Sequence, residues 1–250
     1  MSDAHEIVET IDIDSKGTKE VEFIKDVDIV VARYNESLEW MNEYPFSLFH
    51  YTIYNKGPNE NFLKKEGNHV ISIPNVGRCD HTFLYHIVNN YSTSNLKQIT
   101  IFLPGCIDMP NKKTKAKNML ERILQSNKAY FPAEKCSSLY NMFKYFQLSH
   151  WKSSYNKNHS LYKSTYVSPA KLRPYGKWYK YHFGNKHVSF YCINSIFSLD
   201  KRDIEKYPLI RYEYFCRLLA THPHPEACHY MERSWGALFG PFLHTKVYYL

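Results

Sequence analysis

The sequence predicts one α/β domain with a mixed, largely parallel sheet flanked by helices. Three observations predict the class. Residues 26–34, Asp26-Val27-Asp28-Ile29-Val30-Val31-Ala32-Arg33-Tyr34, form a β-branched apolar run bounded by charge, as strands buried on both faces do. Three further short apolar runs follow, separated by turn residues and by one segment of clear helical period. No repeat, low-complexity tract or linker divides the 250 residues, a length that one α/β unit commonly occupies.

The elements follow in order. Residues 1–25 are charged and lack steady period, and read as a partly ordered arm with a short strand near 20–23. After the first strand, Ser37 is placed to cap a helix through Trp40 and Met41. Residues 46–54 form the second strand, stopped by Asn55-Lys56-Gly57-Pro58. Residues 70–73 form the third, stopped by Pro74-Asn75-Val76-Gly77. Phe83, Leu84, Ile87, Val88 and Tyr91 then repeat at helical spacing, with Asp80 at the N-cap position. A fourth strand over 98–103 ends at Pro104-Gly105.

A basic helix is expected over 111–126, with Met119, Leu120, Ile123 and Leu124 inward. From 130 to 181 the pattern dissolves into Tyr-, Lys- and Ser-rich sequence, expected as ordered loops beside a cleft. A strand over 188–196, helices over 198–206 and 209–219, and a last helix opened by Pro225-Glu226 and running through Trp235 complete the chain.

The net charge of +8 suits a partner that is phosphorylated or otherwise anionic. The run Lys112-Lys113-Thr114-Lys115-Ala116-Lys117 reads as a solvated helix face. Aromatic residues make up 16 %, with 22 Tyr, which suits stacking on sugars or bases as well as ordinary packing. The 6 cysteines show no C-x-x-C spacing and are expected as small buried residues in a reducing compartment. The acidic N-terminus lacks an apolar core, and no run approaches the ~20 residues that span a bilayer. A cytoplasmic protein without a transmembrane segment is the expectation.

Ligands of parallel sheets bind where loops leave the carboxyl ends of the strands. Three such loops here are polar: Arg33-Tyr34-Asn35-Glu36, Asn55-Lys56, and Asn75-Val76-Gly77-Arg78-Cys79-Asp80-His81. Arginine, lysine and a helix N-terminus together suit a diphosphate. The same residues also serve as caps, turn formers and ion-pair partners. Neither G-x-G-x-x-G nor G-x-x-x-x-G-K-[ST] occurs, which disfavours an NAD-binding or P-loop protein. Asp12-Ile13-Asp14 and Asp26-Val27-Asp28 precede the first strand and read as surface charge. His222, His224, Glu226, Cys228 and His229 cluster without a zinc-site spacing. His229, Glu232 and Arg233 share a helix face, where Glu232 is either a general base or an ion-pair partner.

The motifs Val30–Trp40, Ile53-Tyr54-Asn55-Lys56-Gly57, and Asn75-Val76-Gly77-Arg78 with His81-Thr82-Phe83-Leu84-Tyr85-His86-Ile87 resemble a family of GT-A-like domains found in fungi, bacteria and large algal viruses. Pro225-Glu226 with His229-Tyr230-Met231-Glu232-Arg233-Ser234-Trp235 looks like the same family's closing motif. The resemblance covers about 30–105 and 188–240. It extends to viral glycosyltransferases that build capsid glycans, including pentose (xylose) transferases using a UDP-sugar.

What the resemblance implies is a nucleotide-sugar-binding half at 26–108, a variable acceptor region at 109–187 and a closing strand and helices at 188–250. It implies donor contacts on Arg33, Tyr34, Asn35, Glu36, Asn55, Lys56, Asn75, Gly77, Arg78 and His81. Asp80 and Glu232 are the candidate catalytic carboxylates, and Trp151, Trp178 and Tyr179 the candidate acceptor-stacking rings. A tightly bound cofactor is not expected. The family commonly holds manganese or magnesium on acids after the fourth strand, and here Leu103-Pro104-Gly105-Cys106-Ile107-Asp108 offers Asp108 alone. The chain also departs from the family in carrying Cys79 where an acid often follows the Gly-Arg pair. Two other expectations remain open from the residues: a non-catalytic glycan- or nucleic-acid-binding module, and a metal hydrolase built on the histidine cluster. Nucleic acid is the less favoured partner.

Overall fold

A computed structural model describes residues 26–91, 93–148 and 167–250. Its strands are β1 (Val27–Arg33), β2 (Tyr51–Asn55), β3 (His69–Ser72), β4 (Ile99–Pro104), β5 (Tyr130–Lys135), β6 (Phe190–Tyr191), β7 (Phe197–Asp200) and β8 (Lys246–Tyr249). Its helices are α1 (Arg78–Tyr91), α2 (Pro110–Ser126), α3 (Leu139–Phe143), α4 (Tyr175–Phe183), α5 (Lys201–Glu205), α6 (Leu209–Leu219) and α7 (Glu226–Phe239).

The main sheet has the order β3-β2-β1-β4-β7, with β7 antiparallel to β4 and the other pairs parallel. β1 is central, with Arg33 opposite Asn55 on one side and Ala32 opposite Pro104 on the other. Its side chains alternate between two cores. Val30 and Ala32 pack with Phe83, Leu84 and Ile87 of α1. Val27, Ile29 and Val31 pack with Met119, Leu120 and Ile123 of α2. A strand covered on both faces is apolar along most of its length, and Asp28, the one polar residue of β1 before Arg33, is answered by the Thr52 hydroxyl at 3.0 Å and His86 Nε2 at 3.5 Å. A smaller sheet, β6-β5-β8, joins the edge through Ser198, whose hydroxyl contacts the backbone N and O of Tyr130 at 2.7 and 2.9 Å.

The α/β class and the parallel character of the sheet are as expected, and several local expectations are corrected. Residues 37–41 form a short 3-10 turn, Glu39–Asn42, after left-handed Leu38. The first part of 46–54 is likewise a 3-10 turn at Phe46–Leu48, and only Tyr51–Asn55 is strand. Asp80 lies within the first turn of α1 rather than at its cap. The stretch expected to be loop contains β5, α3 and α4. The strand expected over 188–196 breaks after Tyr191, and the sheet strand is Phe197–Asp200, where a helix start was expected. β8 was not foreseen. The arm at 1–25, with its strand near 20–23, lies outside the described residues. Among the described residues no helix is long and apolar enough to cross a membrane.

Candidate functional site

The chain order fixes where a site can form. From β1 the path steps outward through β2 to β3, then crosses back to β4, so the loops after β1 and β4 diverge at the carboxyl rim. α1 starts at the same rim, after β3.

The turn into α1 is built on left-handed backbone. Gly77 has φ 62, and a Cβ there would meet His81 Cβ at 2.4 Å and the Leu219 carbonyl oxygen at 2.6 Å, so only glycine fits. Arg78 follows with φ 50, a conformation that costs a non-glycine residue about 1–2 kcal/mol. The turn is locked by Gly77 N donating to the His222 carbonyl at 2.8 Å and by the Cys228 thiol donating to the Gly77 carbonyl at 3.0 Å. Lys56 reaches in from β2 and donates to the carbonyls of Val76 and Arg78. Burial, the largest effect, pulls the Lys56 ammonium down to about 8.

Two carboxylates come together beside this turn. Asp80 is buried and accepts from the Ser195 hydroxyl at 3.2 Å. Glu232, half-buried on α7, accepts from the Asn194 backbone N–H at 2.7 Å. Asn194 and Ser195 both take left-handed φ, 68 and 50, so consecutive residues of one tight turn grip the two acids. Burial first, and then the charge of Glu232, push the Asp80 carboxyl up, while Arg78 pulls against them. Arg233 lies 3.7 Å from Glu232, donates to the His229 carbonyl at 2.8 Å and stacks 4.1 Å over Phe146. Arg78 is half-buried, and among the described residues no hydrogen bond or ion pair ties its guanidinium down. His224 and His229 are both depressed, by burial first and then by Arg78.

Arg78, Asp80, Glu232 and Arg233 therefore form one electrostatic cluster. A continuous strand over 188–196 leaves no place for Asn194 and Ser195 in a site, whereas the structure ends that strand at Tyr191 and turns the chain at these two residues. The Asn-Ser pair, with asparagine's tolerance of left-handed backbone, was the available signal.

Other expected contacts lie elsewhere in the structure. Arg33 is fully buried, donating to Asn55 Oδ1 and the Asn59 carbonyl, both at 2.6 Å, under the Phe62 ring. Asn55 donates to Glu60 Oε1 at 2.7 Å. These side chains brace the loop after β2, and Lys56 the turn into α1. Glu36 turns on its own loop, accepting from Tyr34 N and Asn35 N at 2.7 and 3.0 Å. Tyr34, Asn35 and Asn75 are half-buried at the rim, and His81 is buried beside Tyr85.

Trp178 and Tyr179 are each 1 % exposed within the core and have no free face for an acceptor, which corrects that expectation. Trp151 lies outside the described residues. The histidine cluster does not converge as a metal site. Its Glu226 is fully buried, accepting from Leu148 N, Ala170 N and the Tyr230 hydroxyl, with Arg173 Nε 2.7 Å away. Asp108 is exposed, and among the described residues no group of three His, Cys, Asp or Glu side chains is placed to hold an ion.

Comparison with known proteins adds no relative: no family model matches the chain, and no curated protein or solved structure matches it.

Proposed function

We propose that the chain is a glycosyltransferase, moving a sugar from a nucleotide diphosphate sugar to a hydroxyl of a glycan acceptor with inversion. The resemblance of its motifs favours a UDP-sugar, with xylose as the sugar. The observation that carries this reading is the pairing of Asp80 and Glu232 beside Arg78 and Arg233 at the carboxyl rim of a parallel sheet.

The chemistry needs a carboxylate to take the acceptor proton while cations meet the charge of the departing diphosphate. Glu232, half-buried and hydrogen-bonded by the Asn194 N–H, is the carboxylate assigned to take that proton. As the acceptor oxygen bonds the anomeric carbon, the bond to the diphosphate breaks and its electron pair leaves with the phosphate oxygen. Arg78 is the group free to meet that charge, assisted by the N–H groups at the start of α1. Asp80, buried behind Glu232, sets the charge of the pair. No step is assigned to a metal: among the described residues Asp108 has no companions placed to hold one.

A thermal-shift screen of nucleoside diphosphates and their sugars, with and without manganese, tests the reading. A ligand at a hundred times its Kd adds about 2.7 kcal/mol of stability, a rise of several degrees. No rise with any of them removes the donor site. Asp80→Ala and Glu232→Ala, made singly, should each cut transfer; full turnover in both removes the carboxylate assignment.

A further inference from the structure

We propose that Cys106 and Lys112 form a reversible oxidative crosslink in which one oxygen atom joins the cysteine sulfur to the lysine nitrogen. The two lie on the loop after β4 and in the first turn of α2. Lys112 Nζ is 2.8 Å from Cys106 Sγ. Lys115, one turn further along the same helix, stays 3.5 Å from Cys192 Sγ and donates to the Ile193 carbonyl instead. Two single bonds meeting at one oxygen span close to the Cys106–Lys112 separation, so the link needs little movement. Both residues are half-buried, open to a peroxide-sized oxidant without being free to swing apart in solvent.

The charge around the start of α2 favours the same outcome. The first turn contains no acid, and Met109 supplies no side-chain cap. Lys112 and Lys113 therefore stand at the positive end of the helix dipole. Lys113 is answered by Glu43 at 2.7 Å, while Lys112 has a sulfur for its partner. Converting its ammonium to a neutral N–O nitrogen relieves that repulsion.

The oxidant is hydrogen peroxide. In the first step sulfur attacks the O–O bond, an S–O bond forms, hydroxide leaves and is protonated, and Cys106 becomes a sulfenic acid. In the second step the neutral Lys112 amine bonds to that oxygen while a second peroxide accepts two electrons and the two hydrogens lost from O–H and N–H. Thiol, amine and two peroxides thus give the S–O–N link and three waters. The link would staple the loop whose Gly105 carbonyl accepts from Trp40 Nε1 and whose Gly105 N donates to the Ala32 carbonyl. It is independent of the glycosyl-transfer reading.

The test is intact and peptide mass spectrometry of the full chain after mild peroxide treatment. The expected product gains about 14 Da, one oxygen in and two hydrogens out, and reverts with a thiol reductant. Cys106 and Lys112 share the tryptic peptide 98–112. In the linked product trypsin no longer cuts after Lys112, so that peptide runs on through Lys113, and fragmentation between Cys106 and Lys112 releases no separate ions. Cys106→Ser and Lys112→Arg each abolish the gain, and Lys112→Arg oxidises at Cys106 to sulfinic acid instead. Wild-type chain that yields sulfinic or sulfonic acid at Cys106 with Lys112 still cleavable overturns the proposal. So does a loss of two hydrogens there with no oxygen gained, the mark of a direct S–N bond or a disulfide.

Discussion

Replacing Glu226 with glutamine should unfold the protein at a markedly lower temperature. The carboxylate is fully buried at the start of α7 and is enclosed by donors: Leu148 N at 2.7 Å, Tyr230 Oη at 2.8 Å and Ala170 N at 2.9 Å, with Arg173 Nε 2.7 Å from Oε2. Its own backbone N–H donates to the Ser168 carbonyl at 2.8 Å, so one residue ties the chain on both sides of 149–166 to α7. Glutamine keeps the shape but offers one acceptor oxygen and turns an NH2 toward groups that already donate. The Arg173 charge, 30 % exposed, loses its counter-ion. Breaking a buried ion pair by removing one partner costs about 3–5 kcal/mol. In a domain of this size that lowers Tm by about 6–20 °C. Circular dichroism melts of wild type and Glu226→Gln, with urea midpoints as a second measure, provide the assay. A Tm within a degree of wild type would refute the reasoning, because it would mean that these contacts are weak or that water replaces them without cost.

Three other predictions follow from the same physics. Burial and Glu232 push the Asp80 carboxyl up to about 7 from an ordinary 3.8, so the native state holds its proton more tightly than the unfolded chain. That stability is full below the ordinary value and is lost as pH rises through the raised one. Asp80→Asn should therefore melt higher than wild type at pH 8, with the gap closing toward pH 4; a gap independent of pH contradicts the buried carboxyl. Arg78→Ala should leave Tm unchanged without ligand but weaken nucleoside diphosphate binding about 10- to 150-fold, as loss of a hydrogen bond to charge does; titration calorimetry reads it, and unaltered affinity removes Arg78 from the site. Trp178→Ala should cost about 3–5 kcal/mol in a denaturant melt, because its ring packs among Tyr175, His182, Phe215 and Tyr230; a loss below 1 kcal/mol, with acceptor binding impaired, would restore it to a ligand surface.

Much of the first half of the fold was legible because its signals are local. The run Ile29-Val30-Val31 can be satisfied only by a strand covered on both faces, and the spacing from Phe83 to Tyr91 only by a helix with one apolar stripe. The second half resisted because its elements are short and their partners distant. Tyr130–Lys135 is strand through pairing with residues near the C-terminus, a contact that no local window contains. Phe197–Asp200 is strand because it seats against β4.

The candidate site divides in the same way. The sequence by itself determined which loops leave the carboxyl ends of the strands, and it singled out Arg78 and Asp80 as charged groups there and Glu232 on the last helix. Residue type and chain position carry that much. Only the tertiary structure decided that Arg33, Asn55 and Lys56 are struts, that Trp178 lies in the core, and that Asn194-Ser195 brings the two acids together. Those outcomes depend on burial and on hydrogen bonds across large sequence separations, such as Ser195 to Asp80, and a side chain's chemistry does not reveal whether its partner will be the fold or a ligand.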